Sequence, residues 1–170
     1  GDAHGLELGF RQSFHADPQK YVKVLKMKAA ITEMSMMLGA TFGGGTDEEV
    51  KALASYGRIL GTLAALREEF IDIFERQELR HRVRNECLPI PILCALQGKD
   101  REQIERVLSK TMTSKQDVEE LLDLVLRSEQ VRILKKEMMS MVQQAHELTR
   151  AIENRQSKHL LAELVSSMVE

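Results

Sequence analysis

The chain has 170 residues, enough for one domain with a substantial core and short for two. With 43% hydrophobic and 29% charged residues, a disordered or fibrous chain is excluded. Lys+Arg 24 against Asp+Glu 26 leaves a net charge of -2, too balanced for a global pull toward nucleic acid or anionic lipid. No apolar run approaches the roughly 18 residues that a membrane-crossing helix needs. Two cysteines, Cys87 and Cys94, with no Cys-x-x-Cys argue against a disulfide scaffold or a zinc-thiolate site. They favour a reducing compartment such as the cytoplasm. Gly1 is followed by no basic-then-apolar leader, so a secretory signal is not expected.

The sequence predicts helices almost throughout. Asp17 caps the first and Pro18 suits its opening position. Its apolar spacing runs through Tyr21, Val24, Leu25, Ile31 and Met34 to Leu38 and on to Phe42, with Gly43-Gly44-Gly45 as the stop. Thr46 and Glu49 form a capping box for the second helix, which continues to about Phe74. Small residues at Ala54, Gly57, Gly61, Ala64 and Ala65 let a neighbouring helix come close. Residues 75–87, with Arg76, Arg80, Arg82 and Arg84, read as a loop or short frayed helix. Pro89 and Pro91 then introduce a short buried helix that ends at Gly98. Asp100, Ser114 and Ser128 are the expected caps of three further helices, the last reaching Ile152, and a final segment starts near Gln156. Short loops make antiparallel packing the expectation.

Three stretches carry candidate chemistry. Glu68, Glu69 and Asp72 lie three and four residues apart, so a helix places them on one face, where their repulsion would be relieved by a divalent cation such as Mg²⁺. On spacing alone the blander reading, a solvated acidic face relieved by Arg76, is the stronger one. Lys28 sits at the edge of an apolar stripe, where a lysine either snorkels or serves an anion. Met34, Met36 and Met37 give a soft surface that suits either a hydrocarbon pocket or ordinary core packing. His4, His15, His81, His146 and His159 show no zinc-binding spacing, and neither a nucleophile elbow nor a phosphate-binding P-loop is present.

In order, these stretches resemble the trans-isoprenyl diphosphate synthases (polyprenyl synthetases). Tyr21 followed by Lys28-Ala29-Ala30 is similar to that family's Tyr…Lys-Thr-Ala helix. Leu38-Gly39-Ala40-Thr41-Phe42-Gly43-Gly44 is similar to its Leu-Gly-Ala-Ile-Leu-Gly-Gly, and Tyr56-Gly57-Arg58-Ile59-Leu60-Gly61 to its Tyr-Gly-x-x-Leu-Gly. Glu68-Glu69-Phe70-Ile71-Asp72 stands where the family has its second Asp-Asp-x-x-Asp, and Leu88-Pro89 through Ala95-Leu96 matches its Leu-Pro-x-x-x-Ala-Leu segment. The resemblance implies an all-α antiparallel helical bundle of the isoprenoid synthase type around a cavity. It also implies Mg²⁺-assisted loss of diphosphate from an allylic substrate, then attack by isopentenyl diphosphate. It assigns Glu68, Glu69 and Asp72 to the metal and Lys28 to the substrate diphosphate. Met34, Met37, Ala64 and Ala65 would border the hydrocarbon pocket.

The sequence departs from the family at several motif positions. Ala64 and Ala65 replace Phe-Gln, Glu68 and Glu69 replace aspartates, Ala29 replaces threonine, Arg84 replaces glycine, and Asn85 replaces lysine. The family's first aspartate-rich motif is not among these residues, and Gly1-Asp2-Ala3-His4 resembles the end of the half that carries it. Residues 1–170 are therefore expected to be the C-terminal portion of such a domain, incomplete without its N-terminal helices and impaired as a prenyltransferase. An exposed inner face would make it a homo-oligomer or bind it to a partner chain. The alternatives are a non-catalytic regulatory or partner subunit on the same fold, and a helical interaction module.

Overall fold

The computed structural model describes residues 17–85, 87–110 and 114–170. The readings of Gly1-Asp2-Ala3-His4 and of His15 lie outside them. Among the described residues every regular element is a helix, as the sequence predicts. In chain order these are α1 (Pro18–Lys28), α2 (Ala30–Phe42), α3 (Asp47–Phe74), α4 (Arg76–Asn85), α5 (Ile90–Ala95), α6 (Arg101–Leu108), α7 (Lys115–Leu126), α8 (Glu129–Leu148), a 3-10 turn (Thr149–Ala151) and α9 (Arg155–Ser167).

Several boundaries follow from local chemistry. The Asp17 carboxylate accepts the Gln19 N–H at 2.9 Å. Thr46 and Glu49 exchange side-chain and backbone hydrogen bonds at 3.1 Å each, the reciprocal pattern of a capping box. Ser114 accepts from the Asp117 N–H, and Asn154 accepts from the Ser157 N–H. Gly44, at φ 79, supplies the left-handed residue that turns α2 into α3.

Three expectations are corrected. The first helix is interrupted at Ala29, although the Ala29 N–H still bonds the Leu25 carbonyl at 3.0 Å. Residues 76–85 are a formed helix, because Leu79 and Arg82 bury one face of it. Asp100 does not cap α6 with its side chain; its carboxylate is taken by Arg127 at 3.1 Å.

The chain divides into two compact units. The first joins Gly1–Val24 to Glu68–Lys136. At its centre is α5, all of whose residues are buried, with α7 packed against both α5 and α6. Tyr21, Ile73, Leu79, Ile104, Leu121 and Val131 complete that core. The second unit joins Leu25–Arg67 to Glu137–Glu170. Its core includes Leu25, Tyr56, Leu63, Val142, Ala145 and Val165, and the Tyr56 hydroxyl donates to the Leu161 carbonyl at 2.7 Å.

Within the second unit α2 and α3 approach closely through glycines. A Cβ added at Gly57 would lie 2.8 Å from the Thr32 carbonyl oxygen, and one at Gly61 would lie 2.9 Å from the Ala29 Cβ. The small-residue spacing in α3 thus does what the sequence suggests. The partner helix is unusual, for α2 is largely apolar and has no buried residue.

Candidate functional site

The acidic stretch of α3 lies in the first unit. Helix geometry puts Glu69 and Asp72 on one side, while Glu68, one residue earlier, is exposed. The side chain of Glu69 is 8% exposed and that of Asp72 is 20% exposed. Their counter-charge comes from Arg82 of α4, itself buried. Its Nη1 donates to Glu69 Oε2 at 2.5 Å and to Asp72 Oδ2 at 2.8 Å. Its Nη2 donates to Glu69 Oε1 at 3.1 Å, and its Nε donates to the Cys87 carbonyl at 2.9 Å. Glu69 Oε1 also accepts the Ile90 N–H at 3.2 Å, where α5 starts.

Tyr21 of α1 closes the cluster. Its hydroxyl is 2.9 Å from Cys87 Sγ and 3.4 Å from Arg82 Nη2. Burial, helped by the negative charge of Glu69, pushes the Tyr21 phenol well above the ordinary tyrosine range. Burial alone would lower the Arg82 pKa. The hydrogen bonds it donates to Glu69, together with the charge of that carboxylate, outweigh that and hold the guanidinium protonated more firmly than in water. One guanidinium therefore binds four stretches of chain: α1, α3, α4 and the link into α5.

This geometry tests the fit of a divalent cation. Mg²⁺ needs several oxygen ligands in near-octahedral array. Glu69 and Asp72 present theirs to a guanidinium nitrogen, and Glu68 is directed elsewhere. Among the described residues no three His, Cys, Asp or Glu side chains converge as ligands would. Glu68, Glu69 and Asp72 thus do not assemble as the expected metal set, because Arg82 occupies the position between the latter two.

The other expected site residues lie in the second unit. Lys28, Met34 and Met37 are exposed, and Ala64 and Ala65 are partly covered. A groove of about 480 Å³ is lined by Ser35, Met36, Gly39, Ala40, Leu53 and Leu161 among others, and not by Met34, Met37, Ala64 or Ala65. Met36 is the methionine that faces it. Met27, Ile31, Met34, Leu38 and Phe42 form an uncovered apolar stripe, with Ile31 at 77% and Phe42 at 86% exposure. Their spacing of four, three, four and four residues keeps them on one side of the α1–α2 run.

Arg82 is the residue that sequence reasoning missed. Its signal was faint: three residues after the apolar Leu79 in a helix otherwise rich in charge, it shares the one buried face.

No protein-family model matches the chain. Curated relatives do. A short chain isoprenyl diphosphate synthase of Methanothermobacter thermautotrophicus is 23% identical over 114 residues, covering 64% of this chain and 35% of that protein. A nonaprenyl diphosphate synthase of Mycobacterium tuberculosis is 28% identical over 118 residues, covering 65% of this chain and 35% of that one. Among solved structures, a geranylgeranyl pyrophosphate synthetase from Pyrococcus horikoshii superposes with a TM-score of 0.81 at 20% identity. That match covers 99% of this chain and 54% of the other. The last likeness establishes the fold. The chain spans about a third of the length of these curated relatives and about half that of the solved structure.

Proposed function

We propose, starting from a chain related in sequence and fold to the trans-isoprenyl diphosphate synthases, that it serves isoprenoid biosynthesis as a polyprenyl diphosphate synthase-like domain. The reaction of such a domain is condensation of isopentenyl diphosphate with an allylic diphosphate. These 170 residues bind the allylic diphosphate and do not turn it over. Lys28 supplies charge for the diphosphate, and Met34, Met37, Ala64 and Ala65 supply the apolar border for the chain. The observation that carries the reading is the ordered series from Tyr21 to Leu96 on a bundle of the isoprenoid synthase type. The absence of turnover rests on Arg82 holding Glu69 and Asp72. An assay with Mg²⁺, isopentenyl diphosphate and an allylic diphosphate tests it. Robust product from residues 1–170 overturns the inactivity, and failure to bind the allylic diphosphate, or binding that Lys28→Ala does not weaken, overturns the binding claim.

A second reading, a non-catalytic partner subunit on the same fold, is favoured by the alanines at 29, 64 and 65, Asn85, and the bare apolar stripe of α2. In that reading a second copy or a partner chain covers Ile31, Met34, Leu38 and Phe42. A monodisperse monomer in light scattering at working concentration counts against it.

A further inference from the structure

We infer that the Arg82 guanidinium is a resident cation: it holds Glu69 and Asp72 in the arrangement a divalent ion would otherwise have to impose, and makes this part of the chain independent of metal. The inference concerns the first unit's own residues and stands whether or not the chain binds prenyl diphosphates.

The argument is one of charge and valence. Two carboxylates on one helix face, one of them buried, require positive charge nearby, since an uncompensated buried charge costs far more than an exposed one. Arg82 meets that requirement with both Nη1 contacts, while Nη2 donates to Glu69 Oε1 and to the Tyr21 hydroxyl oxygen and Nε donates to the Cys87 carbonyl. A planar, permanently charged fork suits such a pair better than a lysine would. The contacts to Tyr21 and to the Cys87 carbonyl fix where the fork points. A hydrated Mg²⁺ cannot enter while this group stays, because both oxygens it would bridge already face one nitrogen. Removal of the guanidinium leaves the two carboxylates facing a hollow of negative potential that a cation would fill.

The test uses residues 1–170 and Mn²⁺ as the spectroscopic probe, followed by electron paramagnetic resonance and by thermal melting. In the unmodified chain, Mn²⁺, Mg²⁺ and EDTA leave the melting temperature unchanged, and Asp72→Asn does not alter the weak background Mn²⁺ signal. Arg82→Ala melts lower. It is raised again by millimolar guanidinium or by Mn²⁺, which it binds at least tenfold more tightly than the unmodified chain. Adding Asp72→Asn to Arg82→Ala abolishes both rescues. Tight Mn²⁺ binding by the unmodified chain that is lost in Asp72→Asn overturns the inference, and so does an Arg82→Ala chain that melts unchanged. Should Arg82→Ala fail to fold, Arg82→Lys replaces it: the point charge keeps the fold but lets Mn²⁺ compete, and a lysine variant indifferent to Mn²⁺ also overturns the inference. Prenyl diphosphate binding and turnover enter none of these readouts, so failure here is distinct from failure of the functional reading.

Discussion

Replacing Gly57 by alanine sets two opposed effects against each other within α3. Alanine is favoured over glycine in a helix interior by about 0.8–1.0 kcal/mol. Against this, the new methyl group would sit 2.8 Å from the Thr32 carbonyl oxygen, 2.8 Å from Met36 Cγ and 3.1 Å from the Glu33 Cα. Met36 can rotate away. The other two atoms are backbone of α2 and move only if that helix moves, so the clash carries an overpacking cost of about 1–3 kcal/mol. The cost offsets or exceeds the gain, and Gly57→Ala is expected to lose up to about 2 kcal/mol net. Gly39, in α2, is the control, because a Cβ there has nothing within 4 Å. Gly39→Ala should therefore gain up to about 1 kcal/mol through helix propensity alone. Urea unfolding followed by far-UV circular dichroism would show the Gly57→Ala midpoint below that of Gly39→Ala by roughly 0.3–3 M, given slopes of about 1–3 kcal/mol/M. Equal midpoints, or a Gly57→Ala chain more stable than Gly39→Ala, would refute the claim that glycine is needed for the close approach of α2 and α3.

Glu69→Ala leaves Arg82 buried without its main partner and should cost about 3–5 kcal/mol, visible as a large drop in melting temperature. Thr46→Ala removes the cap of α3 and should cost about 1 kcal/mol by the same measurement. Burial pushes the Tyr56 phenol up to about 12, so the folded chain prefers the neutral form. That contribution is complete below the unfolded value of about 10, and it is lost as the pH climbs from there to about 12. Tyr56→Phe should flatten this part of the alkaline stability profile while losing about 1 kcal/mol at neutral pH with the bond to the Leu161 carbonyl.

What the sequence revealed was mostly local. The caps at Asp17, Thr46 and Ser114 join a side chain to a backbone group two or three residues away, so their chemistry is visible in a short window. The small residues of α3 were legible because a helix turns Ala54, Gly57, Gly61 and Ala64 to one side. The acidic stretch was legible as a cluster but not in its partner. Arg76 has the right helical spacing from Asp72, yet the helix is interrupted between Phe74 and Arg76, and the charge arrives from Arg82 on the next helix. The position of that arginine depends on the turn, on Leu79 and on the Cys87 carbonyl, none of which a periodicity argument weighs. Asp100 shows the same limit: an apparent cap is claimed by Arg127, 27 residues later. For α2, the apolar spacing of Ile31, Met34 and Leu38 announces a surface to be covered without saying what covers it.

The distribution of chromophores and thiols makes each unit observable by itself. The chain has two tyrosines, two cysteines and no tryptophan. Cys87 and Cys94 are buried in the unit that also holds Tyr21, whereas Tyr56 is the sole phenol of the other. Disulfide-exchange labelling therefore clocks the opening of the first unit, while phenolate absorbance in a Tyr21→Phe background follows the second. Two transitions occurring at different denaturant concentrations would reveal independent folding; a single shared one would establish cooperativity without any added label.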